Sequence, residues 1–326
     1  MLPARPTTLS DAPHGMPVGR PGDAGHRHRA AVRARLLRSA LVPAGPGSIT
    51  WQINREAVVL AGWGRAILLQ LAHPAVAAGV HGHSAFRGSL AASLRRLRST
   101  AGAMLAITFG DPERVIAAAA GINVIHDRVR GHAPPPLKPR GAGPLAYSAH
   151  DPALQRWVHA TLVESMLLAY ERLVGPLTAT ERDRYCQEAA IMEPLLGMPA
   201  GSLPRSAAHL DTCLEDILAG GSLVVTDTSR ALARAVLYPP RWHLAWPAFR
   251  AMQLLTIGTL TPSLRQAYRF DWRDHDERAL ARWTTLLRTV RRLMPRRARE
   301  WPMARHADIR GADQRTKVRV AGVGNR

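Results

Sequence analysis

Cysteine is scarce in this chain of 326 residues, and its scarcity narrows the class of protein. The two cysteines, Cys186 and Cys213, lie far apart in segments with helical patterns. They form no CxxC motif, no metal-binding pair and no disulfide framework, which is typical of a reducing compartment. The beginning of the chain also lacks the pattern of a signal peptide. We therefore expect a cytoplasmic protein.

Lysine is as rare as cysteine, since it occurs only at Lys138 and Lys317, and arginine supplies nearly all of the positive charge. The formal net charge of +20 is thus more typical of the codon usage of a GC-rich genome than of a polyanion-binding surface. Aromatic residues make up only 5% of the chain, and no zinc-finger, RNA-recognition or leucine-zipper pattern accompanies the charge. We expect no specific nucleic-acid partner.

Long uninterrupted apolar runs are also missing. The longest candidate, residues 57–80, is broken by Arg65, Gln70, His73 and Pro74, so it predicts a pair of buried helices rather than a membrane span. No GxSxG elbow occurs, and no Ser, His and Asp set can be nominated from spacing, which argues against a hydrolase.

The chain does contain a succession of helical patterns, with no convincing strand pattern. The clearest runs from Asp151, a good N-cap followed by Pro152, to Gly175, and apolar residues cover much of its circumference. In an earlier pattern, Gly62 and Gly64 would permit close approach of another helix or of a flat ligand. Other helices are predicted over residues 55–72, 74–80, 89–110, 111–131, 178–197, 206–220, 227–237, 242–259 and 274–294. We predict an all-α fold stacked around the helix that begins at Asp151.

Composition divides the chain into three parts. Residues 1–46 are rich in Pro, Gly, His and Arg without a sustained period, which predicts a disordered basic segment with a possible short helix over residues 30–41. Residues 47–295 are predicted to form a single helical domain. Residues 296–326 are predicted to be an Arg-rich flexible tail.

A histidine lies in the middle of the apolar surface of the 151–175 helix. His159 needs a partner there, because burying a polar group without one costs about 2–7 kcal/mol. That partner is either a backbone carbonyl or a metal. His73 and His126 lie in similar surroundings, and each alone is more often a core histidine than a ligand.

Together the three histidines, accompanied by arginines, favour an iron porphyrin. Such a site needs one neutral imidazole as axial ligand, an apolar cleft, and cations for the propionates. His126 and Arg130 are spaced to share one face of the predicted helix, where both could address the same ligand. A non-heme iron site fits less well, because Glu164 lies off the face of His159.

Three runs of the sequence resemble signature blocks of the family that includes latex-clearing rubber oxygenases and the fungal MpaB-type oxygenase. The runs are REAVVLAGWGRAILLQLAHPAVAAGVHGHS, IHDRVRGH and YSAHDPALQRWVHATLVESMLLAYERLVGPLT, and the likeness extends over about Ile49 to Phe270. The resemblance implies a globin-like helical core with additional peripheral helices and a bound heme b. It also implies dioxygen-dependent cleavage of a carbon–carbon double bond in an isoprenoid.

Matched residue by residue, the resemblance places His159 as the axial heme ligand. It places His126 and Arg130 in the block near the heme, where they are predicted to be catalytic. The predicted cofactor contacts are His73, Arg65, Arg128 and Thr161.

The expected partners are dioxygen and a small apolar substrate. Rubber oxygenases place a lysine on the distal side of the heme, and neither lysine of this chain lies in a matching block. With no export pattern, this favours a terpenoid or another secondary metabolite over a polymer. One alternative is a non-catalytic heme protein that senses or carries a ligand. A second is a cofactor-free helical protein that binds polyanions or makes peripheral membrane contact through the basic 274–294 helix.

Overall fold

The structure, a computed structural model, describes residues 21–83, 90–133, 145–238 and 246–310, and most of these residues are helical. The first helices are α1 (Pro21–Arg38), α2 (Ile49–Asn54), α3 (Gly62–Leu71), α4 (Pro74–His83), α5 (Leu90–Phe109) and α6 (Pro112–His126), and a 3-10 helix over Ala57–Ala61 precedes α3. They are followed by α7 (Pro152–Leu173), α8 (Ala179–Ala189), α9 (Met192–Leu196), α10 (Ala207–Ala219) and α11 (Asp227–Leu237). The last are α12 (Trp246–Gly258), α13 (Pro262–Ala267), α14 (Asp274–Leu293), α15 (Arg296–Arg299) and α16 (302–310). The predicted all-α fold is confirmed.

Helix α7 has the predicted start and the predicted burial. The Asp151 side chain accepts a hydrogen bond of 2.8 Å from the backbone N–H of Ala153, and Pro152 occupies the first turn. Trp157 and Leu167 are each 1% exposed, and the helix packs against α3, α8, α10 and α14. Burial on several sides makes α7 the interior helix of the fold.

The glycines of α3 serve close helix packing. A Cβ atom on Gly62 would overlap the carbonyl oxygen of Ser165 in α7, and one on Gly64 would overlap the Thr256 hydroxyl in α12. Of the two possibilities left open by the sequence, the close approach of other helices is the one observed.

Helix α6 ends earlier than predicted. It stops at His126, and a turn leads into β1 (Arg130–Ala133), which pairs antiparallel with β2 (Leu145–Ser148). The prediction of a helix to Gly131 and of no strand is wrong here, because the backbone of Val129 accepts a hydrogen bond of 2.8 Å from Ala149 instead of continuing the helix. Residues 134–144, between the two strands, lie outside the described ranges.

Two other helices differ from their predicted extents. The predicted 178–197 helix is divided into α8 and α9 by a break at residues 190–191. The predicted 242–259 helix is described from Trp246, and its first residues lie outside the described ranges.

Helix α1 is longer than the short basic helix predicted near the beginning of the chain. Val32 is fully buried in a cluster with Val115 and Ile191. The Arg35 side chain donates a hydrogen bond of 2.7 Å to the carbonyl of Pro194. Helix α1 is therefore part of the packed structure.

The C-terminal segment is packed against the fold as far as residue 310, which differs from the predicted flexible tail. Ala304 and Ala307 of α16 are buried against Trp51 and Phe109. Arg55 forms an ion pair of 2.6 Å with Asp308. The small apolar side chains between the arginines account for this packing. Within the described ranges, no helix is long and apolar enough to cross a bilayer.

Candidate functional site

His159 lies half-buried on α7, opposite the end of α8. Its Nε2 lies 3.0 Å from the backbone carbonyl oxygen of Ala189, while its buried Nδ1 has no hydrogen-bond partner within the described ranges. Since a carbonyl only accepts, the hydrogen bond assigns the proton to Nε2 and leaves the lone pair on Nδ1. Burial lowers the pKa of His159 to about 4, so the ring is neutral near pH 7.

His126 is the last residue of α6, whose start is set by the Asp111 cap on Arg114 and by Pro112. Its Nδ1 is also buried and has no hydrogen-bond partner in the part of the chain that the structure describes. Burial, and then the nearby His150, lower the pKa of His126 to about 4. The two rings meet edge to face, with centroids 5.7 Å apart. His126 is thus a second neutral imidazole with an unsatisfied nitrogen.

Asp127 joins the end of α6 to two other parts of the fold. Its Oδ1 lies 2.8 Å from His150 Nε2, and its Oδ2 lies 2.7 Å from His28 Nε2 on α1. Burial would raise the pKa of the Asp127 carboxyl, but the hydrogen bonds from both histidines outweigh this effect and lower it. The sequence did not predict these contacts of Asp127 with His28 and His150, because nothing in their spacing reveals that three segments meet.

The predicted pairing of His126 with Arg130 on one helical face is wrong. Arg130 lies on β1 opposite Ser148, beyond the turn that ends α6. Arg128 is exposed on that turn. Both arginines therefore remain close to His126 along the chain, although not on its helix.

His73 has a structural role immediately before α4. Its Nδ1 accepts a hydrogen bond of 3.3 Å from the backbone N–H of Ala75. Burial lowers the pKa of His73, with Asp151 acting in the opposite direction.

Arg65 and Thr161 are both engaged in helix packing. The Arg65 guanidinium is paired with Glu164, and it donates to the Thr259 carbonyl at 3.0 Å. Burial lowers the pKa of Arg65 and raises that of Glu164, while their mutual attraction opposes both shifts. Thr161 is fully buried and donates to the carbonyls of its own helix. A cofactor carboxylate would have to compete with Glu164 for Arg65.

Two glycines of the α5–α6 helical hairpin face open space. A Cβ atom on Gly102 of α5 or on Gly121 of α6 would meet no described atom within 4 Å. Ile125, one turn beyond Gly121 and next to His126, is 58% exposed. Gly121 and Ile125 thus form an exposed apolar stretch on the helix that ends at His126.

The structure thus separates the three predicted histidines into different surroundings. Within the described ranges, no hydrogen bond or ring contact joins His73, His126 and His159, and no three His, Cys, Asp or Glu side chains are grouped to hold a bare metal ion. A porphyrin supplies its own ring nitrogens, so iron in heme needs only one of these imidazoles.

Residues 50–292 match the family described as ER-bound oxygenase mpaB/B'/Rubber oxygenase, catalytic domain. The chain belongs to this family. It is also similar to uncharacterised proteins of Mycobacterium bovis and Mycobacterium tuberculosis, each 28% identical over 235 residues. Each match covers 71% of this chain and 88% of the relative. No solved structure matches. Membership of the family supports an oxygenase.

Proposed function

We propose that this protein is a heme b-dependent oxygenase that uses dioxygen on a small apolar substrate, with His126 as the axial heme ligand. The observation that carries the proposal is the neutral His126 ring, whose buried Nδ1 has no hydrogen-bond partner among the described residues, in a chain of an oxygenase family. Cleavage of a carbon–carbon double bond, a globin-like arrangement of the core and a cytoplasmic location stay predictions.

The residues near His126 fit a heme. The ring needs no deprotonation near pH 7, because its pKa is about 4. The exposed Ile125 and the open space at Gly121 offer an apolar surface for a macrocycle. Arg128 and Arg130 follow within a few residues and supply positive charge for the propionates.

The heme, when bound, would supply the redox chemistry of iron with dioxygen. The chain's own part is to hold and orient the imidazole. Asp127 binds His28 and His150 on either side, which fixes the turn at which α6 ends and thereby the position of His126.

His159 is the second candidate ligand, as predicted from the sequence. In its favour, Nε2 is oriented by the Ala189 carbonyl and Nδ1 retains an unsatisfied lone pair. A carbonyl contact at the other ring nitrogen is usual for a metal-ligating histidine. Against it, His159 lies on the interior helix α7, which packs against α3, α8, α10 and α14, whereas α6 has an exposed face at Gly121 and Ile125. We therefore rank His159 below His126.

The first test compares three histidine variants by heme content and absorption spectrum. We expect His126→Ala to lose the Soret band, while His159→Ala and the exposed control His209→Ala keep it. Circular dichroism checks that each variant is folded. Unchanged heme content in His126→Ala would refute its assignment, and loss in His159→Ala alone would move the assignment there. A wild-type protein that stays colourless after addition of heme would refute the cofactor.

The second test measures oxygen uptake by the heme-loaded protein with a small terpenoid alkene and with its saturated analogue. We expect uptake that depends on the double bond. Heme binding without such uptake across a panel of alkenes would instead support a non-catalytic heme protein.

A further inference from the structure

A cleft of about 240 Å³ opens on another part of the molecule, between α11, α12 and the connection from α13 to α14. None of the candidate heme residues lines it. Its floor is apolar, formed by Leu254 and Ile257 of α12, which are 1% and 6% exposed. Tyr268 and Phe270 stack on one another at the side, with ring centroids 5.4 Å apart.

Three arginines line the cleft, and only one of them has an ionic partner. Arg250 forms an ion pair of 2.7 Å with Asp276. Arg234 and Arg269 are exposed, and neither forms a salt bridge with a described residue. The remaining carboxylate in the lining, Asp271, is paired with Arg273 at 2.5 Å. The lining therefore carries an excess of positive charge over an apolar floor.

The cleft is held in shape by contacts between its walls. Arg230 of α11 donates to the Ala267 carbonyl of α13 at 3.0 Å. The buried Gln253 donates to the Leu237 carbonyl at 2.9 Å, which ties α12 to the end of α11. Because these contacts lie within the folded helices, the cleft is preformed.

Arg269 occupies a backbone position that favours glycine. Its φ is 60°, and it follows α13 in a turn where the Phe270 N–H donates to the Arg265 carbonyl at 2.9 Å. A helix end of this kind usually has Gly or Asn at the left-handed residue. Arginine there loses local stability but places a cation at the rim of the cleft, and such strain is often found at binding sites.

We propose that this cleft binds a small organic anion, in which a carboxylate or phosphate pairs with Arg234 and Arg269 and a short apolar or aromatic body lies on Leu254, Ile257 and Phe270. Planar guanidinium groups suit both kinds of anion. The size of the cleft limits the body to about a single ring, since drug-sized ligands need at least about 300 Å³. The proposal does not depend on heme binding.

The test uses calorimetric titration of the full chain with benzoate, phenyl phosphate and the neutral benzyl alcohol. We expect saturable binding of at least one anion at millimolar concentrations or below, weakened by added salt, and no comparable binding of benzyl alcohol. Benzoate and phenyl phosphate distinguish a carboxylate site from a phosphate site.

Two variants locate the binding. Arg234→Gln and Arg269→Asn should each lower the affinity for the preferred anion by about tenfold or more. Arg282→Gln, on the exposed face of α14, should leave that affinity unchanged. Asn tolerates the left-handed backbone, so Arg269→Asn should melt no lower than the wild type while it loses affinity. Equal effects of all three variants would show that general surface charge is responsible. Equal binding of benzyl alcohol, or no saturable binding of either anion, would also overturn the proposal.

Discussion

Replacing Gly62 by alanine tests the close packing of α3 on the interior helix. The new methyl group would overlap the Ser165 carbonyl oxygen and would lie 3.0 Å from the Ala169 side chain. The first of these atoms is backbone in the middle of α7, so it cannot swing aside as a flexible side chain could. We expect the two helices to separate locally.

The size of the effect follows from two opposing contributions. Overpacking a close-packed interior costs about 1–3 kcal/mol. Alanine gains at most about 1 kcal/mol over glycine in a helix, and Gly62 has an ordinary helical φ of −67°, so no backbone strain is added. The free energy of unfolding should therefore fall by about 1 kcal/mol, the mid-range overpacking cost less the helical gain.

The assay is urea unfolding followed by circular dichroism, with Gly25→Ala as the matched control. A Cβ atom on Gly25, within α1, would meet no described atom within 4 Å. The free energy of unfolding of this variant should therefore rise by about 0.5–1 kcal/mol. If Gly62→Ala were as stable as Gly25→Ala, the contact of α3 with α7 would be looser than described and the reasoning would fail.

Three further predictions concern the charged and titratable groups of the fold. Glu164→Gln should lower the free energy of unfolding by about 3 kcal/mol, because it leaves the Arg65 guanidinium buried without its counter-ion. Replacing both residues by apolar ones should recover most of that loss, as measured by urea titration. The pKa of His159 is about 4 in the folded chain, against an ordinary value of 6.5. As the pH falls, the unfolded chain therefore takes up this proton at a higher pH than the folded chain does. The free energy of unfolding should fall from pH 6.5 to pH 4. His159 contributes about 3 kcal/mol of this fall, which should be missing in His159→Gln, while the similar contribution of His126 remains. A pH profile unaltered by the substitution would contradict the assigned burial. Asp127→Asn should weaken the attachment of α1 through His28 by about 1 kcal/mol, seen as faster hydrogen exchange in α1 but not in α14.

Local signals predicted the elements that depend on local chemistry. The Asp-Pro pairs at Asp111 and Asp151 predicted the starts of α6 and α7, because a capping carboxylate and a proline in the first turn act within a few residues. The end of α6 was predicted wrongly, since Gly131 resembles a helix stop but pairs with Tyr147 in a strand. Strands of four residues have no room to show an alternating pattern.

The partners of the candidate site residues could not be predicted, because they come from distant parts of the chain. The carbonyl that contacts His159 belongs to Ala189 on another helix, and a backbone acceptor has no signature in a sequence. Glu164 is the ionic partner of Arg65, a pairing across two helices that the sequence does not reveal. Tertiary packing thus decided which polar groups were already satisfied.

The packing of α1 and α16 has a consequence for the limits of the catalytic unit. The match to the oxygenase family covers residues 50–292, yet Val32 on one side and Ala304 on the other complete hydrophobic clusters inside that range. A fragment cut at the borders of the match would lack α1 and α16 and would expose the apolar surfaces on which they pack. It would also leave Arg55 without its ionic partner Asp308. We expect such a fragment to aggregate, so the shortest piece able to fold independently reaches from about residue 21 to residue 310.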